Sequence, residues 1–276
     1  KLWASELSAE LTEAVPLVDV RDLDGDGRAE IVVAAAINHG LPARQPFNQG
    51  VQLWLAVLEG GNGRTRWIEP LTEPGQPNRP KDYDFSRAAP EAAFAHHDDD
   101  QILDVVLPGQ LQAHDRRLEM RAFSGASGRT LWRFPLPPAV DQQLAFSNVP
   151  PAAAADLDGD GRAETVVLTL PDAVDTDRVT KTFARLDVLD QATGALRWHW
   201  QTPVGRHANE VRGDPRRLRT RLRPLPVRRP GGKHWIALLT RNHQNRDQVH
   251  VLDETGNLVS EFQLEADLRT LGNRLW

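Results

Sequence analysis

The sequence predicts an all-β protein built from a repeated four-stranded antiparallel unit. Two motifs that recur in phase carry this prediction, together with the lack of any helical stripe. The first motif is an alternating strand, a tight turn ending in Gly, and a Trp four residues later. It reads AVLEGGNGRTRW at 56–67, RAFSGASGRTLW at 121–132 and DVLDQATGALRW at 187–198. Its glycines are Gly63, Gly128 and Gly194, and its tryptophans, Trp67, Trp132 and Trp198, stand 65 and 66 residues apart. A fourth copy, VHVLDETGNLVSEF at 249–262, puts Gly256 in the turn and Ser260 at the Trp position. Trp3 lies 64 residues before Trp67, which marks residues 1–5 as the tail of a preceding copy.

The second motif is acidic. DLDGDGRAEIVVA occupies 22–34, DLDGDGRAETVVL occupies 156–168, and HHDDDQILDVVL at 96–107 is a degenerate copy. Pro16, Pro90 and Pro150 each stand six residues before the first loop position. In the fourth unit, RRPGGKHWIALL at 228–239 keeps the strand and loses the aspartates. Each unit then reads as an inner strand, the acidic loop and a second strand (31–35, 104–107, 165–170, 235–239). A variable loop, a third strand, the Gly turn and the Trp-bearing fourth strand follow. Short runs with period-two alternation, punctuated by Gly and Pro, suit strands.

Four antiparallel strands repeated radially make a β-propeller. The expected architecture is therefore one propeller domain over residues 1–276, with blades near 10–70, 85–136, 145–203 and 216–265. A period near 65 is long for a blade, and the variable loops account for the excess. The chain opens on Lys1 and closes on Trp276, so the four blades are expected to belong to a larger ring.

Composition sets further bounds. With 40% hydrophobic and 26% charged residues, the chain is ordinary for a globular protein, and no apolar run reaches the length of a membrane span. A net charge of -5 gives no electrostatic footprint for nucleic acid. There is no cysteine, which excludes disulfides, thiolate nucleophiles and zinc-thiolate sites.

The acidic loops point to calcium. The ion takes six to eight oxygen ligands, which carboxylates at alternating positions supply. In the first loop Asp22, Asp24 and Asp26 hold positions 1, 3 and 5, and Gly27 at position 6 permits the sharp turn. Arg28 would offer its backbone carbonyl from position 7, and Glu30 closes the site from position 9. Asp156, Asp158, Asp160, Arg162 and Glu164 repeat the set. An EF-hand needs its bidentate Glu at position 12, where this chain has Val33 and Val167 inside strand runs. The middle loop keeps Asp98, Asp100 and Asp104, with His96 in place of the first aspartate and Gln101 in place of the glycine. The His96–His97 pair would suit a transition metal there, but a degenerate calcium loop explains it more simply. Magnesium suits such cages less well, because it keeps several waters. The ion's expected role is to pin the register of the two inner strands.

The loops at 22–30 and 156–164, each followed by a Val-rich strand, resemble the FG-GAP and VCBS repeats found in integrin alpha-chain propellers and bacterial secreted proteins. The Gly turn with its Trp (ASGRTLW, ATGALRW) resembles the tryptophan-docking motif of quinoprotein propellers. These resemblances imply calcium loops on one face of the ring and ligand-binding loops on the other, at 38–50, 70–87, 109–116, 136–147, 171–181 and 201–218. They also imply an extracellular, periplasmic or cell-surface location.

Three further features bear on function. RRLRTRLRPLPVRR at 216–229 is rich in arginine, and alternation over residues 217–223 would line one face of an inner strand with cations that attract an anion. A solvated basic stretch explains it more simply. In Trp198-His199-Trp200, alternation puts both tryptophans on one face, where packing explains them better than stacking on a sugar. No Gly-x-Ser-x-Gly elbow, His-Glu-x-x-His or phosphate-cradling loop is present. The expected function is a calcium-stabilised binding module with a protein or carbohydrate ligand, without nucleic-acid binding or membrane insertion. The alternatives are a quinoprotein-type oxidoreductase, a polysaccharide-active propeller enzyme, or a purely structural part of a larger polypeptide.

Overall fold

Runs of Val, Ile, Leu and Ala separated by Gly-containing turns favour extended chain that pairs with its neighbour in sequence. The computed structural model describes residues 17–38, 51–71, 92–112, 117–137, 152–169, 172–174, 180–204, 224–241 and 246–264. Every regular element among them is a strand. The packing groups the chain into two units, one of residues 1–138, 142–150 and 192–194, the other of 139–141, 151–191 and 195–276.

The first unit holds two sheets. β1 (Leu17–Arg21), β2 (Glu30–Asn38), β3 (Val51–Glu59) and β4 (Thr65–Pro70) pair in chain order as one antiparallel meander. β5 (Ala93–Ala95), β6 (Asp104–Gln112), β7 (Arg117–Phe123) and β8 (Thr130–Pro135) form the next in the same order. The second unit repeats the pattern with β9 (Ala152–Ala155), β10 (Glu164–Thr169), β12 (Thr180–Leu189) and β13 (Leu196–Val204). A short β11 (Asp172–Val174) pairs with β12 beside Thr180 and continues the edge that β10 occupies. The last sheet is β14 (Leu225–Arg228), β15 (His234–Arg241), β16 (Asp247–Leu252) and β17 (Leu258–Gln263). The fold class is thus all-β, with four four-stranded antiparallel meanders of the propeller-blade type.

Apolar faces meet between sheets within each unit. In the first, Val32, Leu55 and Val57 pack with Val105, Leu107 and Phe123, with Trp67 at the edge of the cluster. In the second, Val166, Leu186 and Val188 pack with Ile236, Leu238 and Leu252. Trp198 and Trp200 both lie against this second core, as expected from packing. Polar residues are buried on strand faces too. Arg121 and Glu119 are 2% and 1% exposed and form an ion pair, and Arg121 Nη1 also donates to the Pro70 carbonyl at 3.4 Å. In the third sheet, burial pushes the Asp187 carboxyl up, and Arg185 Nε donates to it at 2.9 Å.

The Gly turn has a defined job. Gly128 sits at φ +75°, and a Cβ there would lie 2.7 Å from ring atoms of Trp67. The Trp67 indole N–H donates to the Gly125 carbonyl at 2.8 Å. Trp132 stands against Gly194 and Trp198 against Gly256 in the same manner, and Trp198 Nε1 donates to the Glu254 carbonyl at 2.9 Å. Each tryptophan ring thus rests on a turn that only glycine fits. The prolines at 16, 90 and 150, Trp3, the arginines at 217–223 and most of the expected ligand-binding loops lie outside the described residues.

Every hairpin between third and fourth strands carries one bulge, at the same place. Val57 pairs with Trp67 and Leu58 with Thr65, leaving Arg66 as the extra residue. The corresponding extra residues are Leu131, Arg197 and Val259. A bulge re-aims the side chain it carries.

Candidate metal centres

Each acidic segment forms the loop between the first two strands of its sheet: β1 to β2, β5 to β6 and β9 to β10. In the first loop, Asp22 folds the chain around its own carboxylate. Its Oδ1 accepts from Gly25 N at 2.8 Å and its Oδ2 from Gly27 N at 2.9 Å. Asp24 Oδ1 accepts from Asp26 N at 3.3 Å, and Asp26 Oδ1 from Arg28 N at 2.7 Å. Side chains that bind backbone amides two to five residues ahead stabilise such turns. Glu30 reaches back from the head of β2, where its Oε2 accepts from Leu23 N at 2.9 Å and the residue is only 3% exposed.

The third loop repeats these bonds. Asp156 accepts from Gly159 N at 2.7 Å and Gly161 N at 2.9 Å, Asp158 from Asp160 N at 3.2 Å, and Asp160 from Arg162 N at 2.8 Å. Glu164 Oε2 accepts from Leu157 N at 2.9 Å. Two identical sequence strings thus fold to the same hydrogen-bond pattern.

Three oxygen clusters result. Carboxylate atoms of Asp22, Asp24 and Asp26 lie within 4.8 Å of one another, as do those of Asp98, Asp100 and Asp104, and those of Asp156, Asp158 and Glu164. Each could hold a metal ion. Glu30 and Asp160, expected as ligands, fall outside these close groups. Arg28 and Arg162 stand at the loop ends with exposed side chains. The donor set is all carboxylate, which suits a hard cation.

The middle loop differs as its sequence foretells. Gln101 takes the place of the glycine and holds the same left-handed conformation at φ +63°. Asp104, in the position of Glu30, is fully buried, and its oxygens accept from His97 N at 2.6 Å, Asp98 N at 3.2 Å and Gly125 N at 2.9 Å. Burial outweighs these bonds and pushes its carboxyl up to about 6. Burial likewise raises Asp100. His96 and His97 do not converge: His96 is exposed, whereas His97 is buried edge-on against Trp132 at 5.5 Å.

Sequence reasoning missed two residues. Arg66 Nη2 sits 2.5 Å from Asp24 Oδ2 and 3.4 Å from Glu30 Oε1. Arg197 lies 2.8 Å from Asp158 Oδ2 through Nη2 and binds Glu164 Oε1 through Nη1. Hydrogen bonds from these guanidinium groups hold Asp24 and Asp158 below the usual carboxylate range. Burial raises Glu164, against the pull of Leu157 N and Arg197. The signal was present as an Arg immediately before the Trp, in RTRW and ALRW, only in the copies whose loop ends in Glu.

The fold and these loops define an all-β repeat protein with acidic hairpin loops. No protein-family model and no curated protein sequence matches the chain. Among solved structures it is similar to the quinohemoprotein alcohol dehydrogenase of Comamonas testosteroni, at 14% identity and TM-score 0.42, over 93% of this chain and 43% of that one. A second quinohemoprotein alcohol dehydrogenase, from Pseudomonas putida HK5, matches at 13% identity and TM-score 0.40, over 98% of this chain and 45% of that one. The Synechocystis apocarotenoid oxygenase matches at 12% identity and TM-score 0.32, over 92% of this chain and 62% of that one. The chain thus spans less than two thirds of each. The antiparallel meanders and their docked tryptophans define the blades.

Proposed function

We propose that the chain is a calcium-stabilised propeller binding module of the FG-GAP type, acting outside the cytoplasm on a protein or carbohydrate ligand. The observation that carries this reading is the convergence of three carboxylates within 4.8 Å in each of three loops at the same place in successive sheets. Carboxylates this close repel one another, and a divalent cation removes the repulsion. Oxygen donors without nitrogen or sulfur favour calcium over zinc or copper, and flexible carboxylate cages favour it over magnesium. An ion held here would pin the first two strands of a sheet in register. Loops with few ligands bind weakly, in keeping with the millimolar calcium outside cells.

Thermal unfolding in chelator, in millimolar calcium and in millimolar magnesium tests the reading. A ligand at one hundred times its Kd adds about 2.7 kcal/mol per site, which raises Tm by about 5–10 °C for a chain of this size. Calcium is expected to give that rise and magnesium a smaller one, and the double variant Asp24→Ala, Asp158→Ala is expected to lose most of it. Equal melting in chelator and calcium, within about 1 °C, rules the calcium sites out.

A further inference from the structure

We infer that Arg66 and Arg197 are resident counter-cations of the first and third acidic loops, holding the loops closed without a metal and competing with an added cation for the same carboxylates. The competition rests on the calcium reading above, whereas the closure does not.

The same construction occurs twice. In each case the arginine is the extra residue of the bulge before the docked tryptophan. The bulge breaks the in-out alternation, and the side chain reaches the acidic loop between the first two strands of its sheet, 42 residues away for Arg66 and Asp24 and 39 for Arg197 and Asp158. In each case one guanidinium contacts the third and ninth loop positions, Asp24 with Glu30 and Asp158 with Glu164. The glutamate is also tied to the backbone of the second loop position, Leu23 or Leu157. Guanidinium, carboxylate and backbone amide thus close a ring across the loop, partly buried, with Arg66 23% and Glu30 3% exposed in their side chains.

The other two sheets vary this feature together with the loop. Where the ninth position is Asp104, the bulge residue is Leu131, and the buried carboxylate takes three backbone amides instead. Where the aspartates are absent, the bulge residue is Val259. Arginine stands at the bulge only with a Glu-closed loop. It carries one of the positive charges that the loop needs, placed on Asp24 or Asp158, a carboxylate that also belongs to the loop's oxygen cluster.

The test compares the full chain with Arg66→Met, Arg197→Met and the double variant, with Arg64→Met as a control for loss of an exposed charge. Melting is recorded in chelator, and calcium affinity is measured by calorimetry. The methionine variants are expected to melt lower in chelator than the parent and the control. They are also expected to bind calcium roughly tenfold tighter, the effect of removing one positive charge a few ångströms from a divalent ion. The single variants keep one loop intact, so a double variant that fails to fold does not end the test. Unchanged melting in chelator overturns the closure, and unchanged or weaker calcium affinity overturns the competition. If neither parent nor variants respond to calcium while the methionine variants still melt lower, the arginines are the loops' sole cations and the calcium reading alone falls.

Discussion

Replacing Gly128 with alanine tests how tightly the tryptophan shelf is built. Two costs act together. The residue sits at φ +75°, where an L side chain costs about 1–2 kcal/mol. The new Cβ would also lie 2.7 Å from Trp67 Cδ2 and Cε3, atoms of a rigid ring that is 7% exposed and packed against the core. The ring must shift, which strains its packing by about 1–3 kcal/mol and loosens the N–H bond to Gly125, worth about 1 kcal/mol. A total loss of about 3–6 kcal/mol is expected. Gly231 supplies the control, since it sits at φ +91° with nothing within 4 Å of its would-be Cβ. Gly231→Ala should therefore lose only the conformational share, about 1–2 kcal/mol. Urea unfolding followed by tryptophan fluorescence measures both, with the slope checked for constancy. If the two variants agree within about 0.5 kcal/mol, the ring does not rest on the turn and the docking argument fails.

Gln101→Gly should stabilise the protein by about 1 kcal/mol, because a left-handed glutamine becomes a left-handed glycine; no gain in the urea midpoint would count against the strain. Asp104 gives a pH dependence whose sign follows from burial. Its folded value of about 6 lies above the ordinary 3.8, so the folded state holds a proton that the unfolded chain releases. Its contribution to stability is therefore full below about pH 4, falls as pH rises to about 6 and is flat above, a loss of at most about 3 kcal/mol. Measured in chelator, the stability difference between the parent and Asp104→Asn should fall across that window, and a flat difference refutes the assignment. Asp24 and Asp158 run the other way: their arginine partners lower them, so their contribution is present above the ordinary carboxylate range and fades as pH drops below it. Trp67→Phe replaces the bicyclic indole with a smaller ring and loses the bond to Gly125, so the packing loss and the lost bond together should cost about 2–3 kcal/mol by the same urea assay.

The repeat was legible because its signals are local. A glycine that must be left-handed and a tryptophan four residues later locate each hairpin, and alternating aspartates around Gly27 and Gly161 locate each loop. The contacts that complete the loops were not legible, because they join residues about forty apart in sequence across a bulge. Alternation assigns Arg66 to a face, but the extra residue shifts the register and re-aims it. The buried pair Glu119 and Arg121 carried no signal of its own: two charged residues flank Met120, yet both are as inaccessible as that methionine. In the third sheet the expected second strand, 165–170, is found as β10 (Glu164–Thr169), and the short β11 at Asp172–Val174 on the same edge of β12 left no separate signal in the sequence.

The tryptophan shelf also gives the chain a direction. Trp67 leaves one hairpin and settles on the glycine turn of the following repeat, and Trp198 does the same in the second unit. Plug and socket therefore reside in different repeats, and the joint is head-to-tail rather than self-complementary. Whole repeats can be gained or lost by duplication and deletion without redesigning a joint, since each newcomer brings a socket for its predecessor and a plug for its successor. Ser260 marks a repeat that kept its socket, Gly256, and gave up its plug.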